Sequence, residues 1–127
     1  LPNVFRDFKG HFDKLLVYKA DNVRVLLKLG QLYGRDLRNN DLALKYILEA
    51  NKLEPENVEI LSKLGIVYSM MGNSASSINT FNNVLQLEPQ NANAMFNLGV
   101  TYLGLGRSIE GEQLIQRAIE LDPSLKK

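Results

Sequence analysis

The fold is decided by residues 57–89, which read NVEILSKLGIVYSMMGNSASSINTFNNVLQLEP. Apolar residues recur there every three or four positions, which is the spacing of one face of a helix. The pattern breaks at Gly72 and stops before Pro89, because a proline disfavours helical conformation in the residue before it. Two amphipathic helices joined by a tight turn are therefore predicted. The first carries Leu61, Leu64, Gly65 and Tyr68, and the second carries Ile78, Phe81, Val84, Leu85 and Leu87.

The same unit recurs upstream and downstream at a nearly constant period. A Leu-Gly pair, followed three residues later by a tyrosine, recurs after 35 and then 34 residues, with its glycines at Gly30, Gly65 and Gly99. Prolines recur every 34 residues, at Pro55, Pro89 and Pro123. The extra residue of the first interval falls between Tyr33 and Ala43. The polar run Arg38, Asn39 and Asn40 lies there and predicts an insertion in the turn.

An asparagine stands where each first helix is expected to begin. An asparagine side chain can accept a hydrogen bond from the free backbone N–H groups at a helix start, which makes it a favoured capping residue. On this basis Asn22, Asn57 and Asn91 are predicted to cap the first helices of three successive repeats.

Each repeat also carries a glycine inside its first helix. Glycine costs about 1 kcal/mol relative to alanine in a helix interior, so it is expected where a second helix approaches closely. The residues predicted to face these glycines are small, namely Ala43, Ser77 and Gly111. The array is therefore expected to consist of tightly paired helices.

This pattern resembles the tetratricopeptide repeat (TPR), a helix–turn–helix unit of about 34 residues. The resemblance covers residues 23–125. It departs from the family at Ile47 and Ile115, which replace an aromatic residue, and at Ser77 and Gly111, which replace alanine. It implies an all-α fold, a right-handed α-solenoid of three repeats over residues 23–57, 58–91 and 92–127, forming a single continuous domain. Residues 1–22 are expected to supply an N-terminal helix from a degenerate upstream repeat.

Composition excludes several classes of protein. The net charge of +1 argues against a general nucleic-acid binder, although residues 1–38 hold 8 Lys/Arg against 4 Asp. The absence of cysteine excludes disulfides and thiolate metal sites. No apolar run approaches the roughly 18 residues of a membrane span, so direct membrane insertion is not expected. A soluble protein is predicted, with the cytoplasm as the favoured compartment. The chain opens on Leu1 rather than Met and is expected to be part of a longer protein.

Catalysis finds little support in the sequence, and we predict that the chain is not an enzyme. The single histidine, His11, is interpreted as a helix-surface residue because no catalytic motif surrounds it. Gly104 and Gly106 do not form a phosphate loop, since no strand precedes them and no Gly-Lys-Ser/Thr follows. No metal ligands converge, and no cofactor is expected.

The resemblance implies that the first helices of stacked repeats line one concave groove, where the family binds peptides or partner helices. Helical spacings of four, three and four select the face opposite the Leu-Gly-Tyr side. The selected positions are Arg24, Lys28, Gln31 and Arg35, then Glu59, Lys63, Ile66 and Met70, then Asn93, Asn97, Val100 and Gly104. The apolar members stand out because the outward face of a lone helix pair should be polar. Asn93 and Asn97 could bond the backbone of an extended peptide, or be surface residues without a role.

One version of the family's groove clamps the C-terminal carboxylate of chaperone tails with lysine, asparagine and arginine at set positions. In this sequence those positions hold Leu27 and Gln31, Lys63, and Asn93 and Asn97. Only Gln31 is similar in kind. Chaperone-tail binding by that mode is therefore not expected.

The leading prediction is a non-catalytic scaffold that binds a protein or peptide partner. One alternative is structural self-assembly into a homo-oligomer through exposed terminal helices, since two apolar sets lie near the chain ends. They are Phe5, Phe8, Phe12, Leu15 and Leu16, and Ile109, Leu114, Ile115, Ala118 and Ile119. Another alternative is a non-catalytic arm of a larger enzyme.

Overall fold

The computed structural model describes residues 19–126, which fold into six α-helices without a strand in that range. The helices are α1 Lys19–Gln31, α2 Asn40–Leu53, α3 Val58–Met70, α4 Ser74–Leu87, α5 Ala92–Gly104 and α6 Ser108–Leu121. A π-helical turn, Leu32–Asp36, follows α1, and a 3-10 turn, Pro123–Lys126, follows α6. The all-α prediction is confirmed. Of the N-terminal helix predicted within residues 1–22, positions 1–18 lie outside the described residues.

The helices group into two compact units, which divide between Glu54 and Pro55. Unit 1 contains α1 and α2, and unit 2 contains α3 to α6. Within each unit, consecutive helices pack as pairs, α1 with α2, α3 with α4 and α5 with α6. The two pairs of unit 2 also pack against each other through α4 and α5. The limits of the three repeats and their continuity as one domain remain predictions.

The two helices of each pair approach closely at the predicted glycine. A Cβ atom added at Gly65 would lie 2.7 Å from Cζ of Phe81. A Cβ at Gly99 would lie 2.8 Å from the carbonyl oxygen of Gly111, and one at Gly30 would lie 2.7 Å from Cγ1 of Ile47. These distances are shorter than real Cβ contacts, so any larger residue must displace its neighbour. The prediction of a close helix approach at these glycines is confirmed.

Unit 2 buries one apolar cluster that draws on both of its helix pairs. Its buried members are Leu61, Phe81, Val84, Ala94 and Leu98, and half-buried Val58, Ile78, Leu85, Tyr102 and Leu114 pack against them. Each square ångström of apolar surface removed from water contributes about 25 cal/mol. The cluster therefore fixes α3 and α5, which are the first helices of their pairs, within one core.

Four helices begin with an asparagine cap. The side chains of Asn39, Asn57, Asn73 and Asn91 each accept a hydrogen bond from the backbone N–H three residues later, at 3.1, 3.2, 3.2 and 2.9 Å. The predictions for Asn57 and Asn91 are confirmed. Asn39 and Asn73 cap second helices, which the sequence analysis did not consider. Each such cap stabilises a helix by about 1 kcal/mol.

The predicted cap at Asn22 is wrong. Helix α1 already includes Lys19, so Asn22 lies inside the helix rather than at its start. Its side chain is buried, and neither of its polar atoms has a hydrogen-bond partner among the described residues. The capping prediction failed because it assumed that a helix break separated Ala20 from the first repeat.

The turn inside each helix pair has a common geometry. Gly72 and Gly106 adopt φ of +78° and +83°, the left-handed conformation in which glycine carries no Cβ penalty. The backbone N–H of the next residue then donates to the tyrosine carbonyl, Asn73 to Tyr68 and Arg107 to Tyr102, each at 2.9 Å. This 6→1 hydrogen bond is characteristic of the Schellman motif at a helix C-terminus.

The inserted residue lies between Tyr33 and Ala43, as predicted, but in the π-helical turn rather than in the polar run Arg38 to Asn40. In unit 1, Arg38 takes the left-handed position with φ of 52°, and Asn39 donates to the carbonyl of Tyr33 at 2.6 Å. This hydrogen bond spans one residue more than its counterparts in unit 2, although the segment from Leu37 to Asn39 is as long as that from Met71 to Asn73. The additional residue lies in the π-helical turn, where the N–H of Leu37 donates to Leu32 at 3.0 Å, five residues back. A one-residue insertion is accommodated in this way when the helix keeps its ends.

Candidate peptide-binding face

The residues predicted to bind a partner all lie on the first helix of a pair or its continuation. Arg24, Lys28 and Gln31 are in α1, and Arg35 is in the π-helical turn. Lys63, Ile66 and Met70 are in α3, and Asn93, Asn97 and Val100 are in α5. The selection of Arg35 assumed the 100° step of an α-helix, which the π-helical turn does not keep.

Three apolar side chains are exposed on the two neighbouring first helices of unit 2. Ile66, Met70 and Val100 keep 43%, 57% and 47% of their surfaces accessible. Met70 follows Ile66 by one helical turn, and Val100 occupies the same repeat position as Ile66. Because α3 and α5 contact each other, these residues belong to adjacent helices of one packed body. We call Ile66, Met70 and Val100 the apolar face.

Polar groups on the same helices are available for hydrogen bonding. Asn93 is exposed and Asn97 is half-buried, and neither side-chain amide bonds another residue in the range 19–126. The hydrogen bond at Asn97 uses its backbone carbonyl, which accepts from Oγ1 of Thr101 at 2.9 Å. An amide side chain can both donate to and accept from a peptide backbone. Lys63, half-buried on α3, adds one positive charge.

Unit 1 has a different surface at the corresponding positions. Arg24, Lys28, Gln31 and Arg35 are all exposed, and no ion pair engages the three cations within the part of the chain that the structure describes. Exposed cations attract acidic groups over about 8 Å at physiological ionic strength. We call Arg24, Lys28 and Arg35 the basic face. All three residues belong to unit 1.

Two models of the tetratricopeptide repeat family match the chain, one over residues 23–57 and the other over residues 80–113. The first match coincides with the predicted first repeat. The second spans the end of α4, all of α5 and the beginning of α6, so it joins two predicted repeats. Together the matches cover more than half of the chain. The chain belongs to the TPR family.

Solved TPR structures share the fold over most of the chain. A structure of YrrB, described as a TPR protein with an unusual peptide-binding site, has 24% identity and a TM-score of 0.74, covering 94% of this chain and 63% of its own. The first TPR domain of Spaghetti (RPAP3), bound to the HSP90 peptide SRMEEVD, has 20% identity and a TM-score of 0.74, covering 80% of both chains. No curated protein sequence matches this TPR chain significantly.

An enzyme is also among the structures with this fold. A mutant of the O-GlcNAc transferase of Thermobaculum terrenum has 23% identity and a TM-score of 0.76, covering 84% of this chain. The chain spans only 20% of that enzyme. TPR repeats are in general interaction modules without catalytic groups of their own.

Within residues 19–126, no group of His, Cys, Asp or Glu side chains is arranged to hold a metal ion. Burial, and secondarily the neighbouring Tyr33, raises the pKa of Tyr46, so its hydroxyl stays protonated at neutral pH. No helix in that range is long and apolar enough to cross a membrane.

A second row of exposed apolar residues lies at the turns and was not predicted from the helical spacing. Leu37, Met71 and Leu105 directly precede the left-handed residue of each pair, and all three are exposed. These three residues are spaced 34 apart, so the repeat period would have revealed the row. The selection by helical spacing covered only positions inside the first helices. Exposed Leu103 was also missed. It contacts the second helix, because a Cβ at Gly111 would lie 2.9 Å from its side chain.

Of the two apolar sets near the chain ends, the one in α6 lies within the described residues. The set at residues 5–16 lies outside the described residues. In α6, Ala118 is buried, Leu114, Ile115 and Ile119 are half-buried, and only Ile109 is largely exposed, at 75%. The exposed side chains along the middle and end of α6 are mostly polar, namely Glu112, Gln113, Gln116, Arg117 and Glu120.

Proposed function

We propose that this TPR chain is a non-catalytic protein-interaction scaffold that binds a peptide or a partner helix on the first helices of unit 2. The observation that carries the proposal is the apolar face. Its three side chains are about half exposed, although the outward side of a helix pair should be polar. Polar residues would serve the fold equally well at these positions, so a partner is the simplest reason for apolar ones.

The contacts available on this surface define the chemistry of the partner. Ile66, Met70 and Val100 would take apolar side chains, and burying them returns about 25 cal/mol per Å². Asn93 and Asn97 would bond the partner's backbone, which suits an extended peptide. A micromolar dissociation constant, about −8 kcal/mol, is the expected scale for such a surface.

The basic face would add a preference for acidic residues in a partner that contacts unit 1. Lys63 would do the same beside the apolar face. Because these charges are exposed or half-exposed, salt should weaken their contribution. The partner is therefore expected to combine apolar and acidic residues.

Known structures support binding of this kind without identifying the partner. The Spaghetti domain was solved with a peptide bound, and YrrB is described as having an unusual peptide-binding site. The positions of the chaperone-tail clamp hold other residues here, so we propose a different mode of recognition. The transferase match favours one further candidate, a non-catalytic arm of a larger enzyme, which the full-length gene product would reveal.

Selection from a displayed peptide library would test the proposal. The natural chain should enrich peptides that combine apolar and acidic residues. The double variant Ile66→Asp, Val100→Asp should lose the enrichment with its helical circular dichroism intact, because both side chains are exposed. Ile109→Asp is the matched control, since Ile109 is more exposed but lies outside the apolar face. The same peptides enriched by the double variant would refute the proposal.

A further inference from the structure

The three methionines of the chain lie in three different environments. Met95 is buried in unit 2 with 5% of its surface exposed. Met70 and Met71 are adjacent in sequence and are 57% and 39% exposed. Met70 is the last residue of α3, and Met71 is its C-cap. One methionine is therefore on the apolar face, one is beside it in the turn, and one is in the core.

Exposed thioethers react with peroxides in a balanced two-electron step. The sulfur of methionine takes one oxygen atom from hydrogen peroxide, which leaves as water, and the sulfur is oxidised to the sulfoxide. This change turns a flexible apolar side chain into a polar one and disrupts interfaces that depend on methionine. Methionine sulfoxide reductases reverse it. Accessible Met70 and Met71 should react, whereas Met95 should be protected.

We propose that Met70 is an oxidation site that switches off partner binding at the apolar face. Met70 contributes the most exposed of the three apolar side chains, so its sulfoxide would place a polar oxygen in the contact. The fold should tolerate the change, because an exposed side chain makes few core contacts. The proposal rests on the proposed function for its effect on binding.

Met71 provides a matched control within the same helix end. Successive residues of an α-helix are about 100° apart around its axis, so Met71 does not share the face of Met70 and Ile66. Its backbone conformation, φ −85° and ψ −1°, places it at the close of the helix. Oxidation of Met71 should therefore leave partner binding unchanged.

The test treats the full chain with dilute hydrogen peroxide and follows three readouts. Fragment-ion mass spectrometry should find Met70 and Met71 oxidised several-fold faster than Met95. Circular dichroism should stay helical. Capture of the library-enriched peptides should be lost in proportion to sulfoxide at Met70. The variant Met70→Leu should keep its capture after peroxide, whereas Met71→Leu should lose it as the natural chain does.

Each contrary outcome has a separate meaning. Oxidation of Met95 as fast as Met70 would overturn the inference about accessibility. Capture that survives full oxidation of Met70 would overturn the switch and leave the proposed function standing. Failure of the untreated chain to capture any peptide would defeat both, and the mass spectra would still report which methionines react.

Discussion

The first helix of unit 1 and the first helices of unit 2 hold the same place in the repeat but present different chemistry. Both kinds of helix carry the close-packed glycine, and both end in a left-handed residue that leads to an asparagine or arginine at the next helix start. Their outward residues differ completely, since unit 1 presents the basic face and unit 2 presents the apolar face. The residues that fix the frame are therefore separate from those that recognise a partner.

The two units also reach the same turn by different routes. In unit 2 the first helices are α-helical to the end, and glycine takes the left-handed position. In unit 1 one further residue is absorbed in the π-helical turn, and Arg38 takes the left-handed position. The hydrogen bond from the asparagine N–H to the tyrosine carbonyl is kept in spite of the insertion. Unit 1 is therefore expected to carry backbone strain that unit 2 avoids.

The largest expected effect concerns the glycine contact that both units share. Gly65→Leu would force a side chain into the ring of Phe81 and should destabilise the protein by about 1–3 kcal/mol, the usual cost of overpacking. Gly104→Leu is the matched control, because Gly104 lies in α5 with nothing within 4 Å of an added Cβ. Thermal melts of the two variants should therefore differ clearly. Equal melting temperatures would show that the helices do not meet at Gly65.

The next effect would separate the two units at the left-handed residue. A left-handed conformation costs a non-glycine residue roughly 1–2 kcal/mol. Arg38→Gly should therefore stabilise unit 1, and Gly72→Ala should destabilise unit 2 by a similar amount. Urea unfolding monitored by helicity would measure both. If Arg38→Gly did not stabilise the protein and Gly72→Ala did not destabilise it, the left-handed residues of the turns would carry no such strain.

The smallest effect would locate the inserted residue. Deleting Asp36 shortens the π-helical turn and gives unit 1 the spacing of unit 2, so the free energy of unfolding should change little. Deleting Arg38 removes the left-handed residue of the turn instead, so the free energy of unfolding should fall. The two deletions have the same length change, so each controls for the other. If the Arg38 deletion were the better tolerated of the two, the inserted residue would lie at Arg38 rather than in the π-helical turn.

Sequence periodicity was sufficient to predict the helix pairs, because each residue that shapes a pair has a local reason to recur. The glycines, prolines and the caps at Asn57 and Asn91 act through backbone sterics and backbone hydrogen bonds, which a repeat spacing reveals directly. The Asn22 cap was mispredicted because Asn22 lies inside α1. The inserted residue was assigned to the run Arg38 to Asn40 because a π-helical turn has no sequence signature of its own. Exposure of Ile66, Met70 and Val100 followed from helical spacing. The exposed row at the turns did not, because it lies beyond the helix ends.

The most direct test of the central claim is a calorimetric titration that ranks the apolar and the charged contacts on unit 2. The strongest peptide from the library would be titrated into the natural chain, the variant Ile66→Asp, Val100→Asp, and the variant Lys63→Glu at physiological salt. We expect the apolar double variant to lose measurable binding, and the charge reversal to weaken it by a smaller factor that shrinks as salt is added. Unchanged affinity in the apolar double variant, with its helicity retained, would contradict the account.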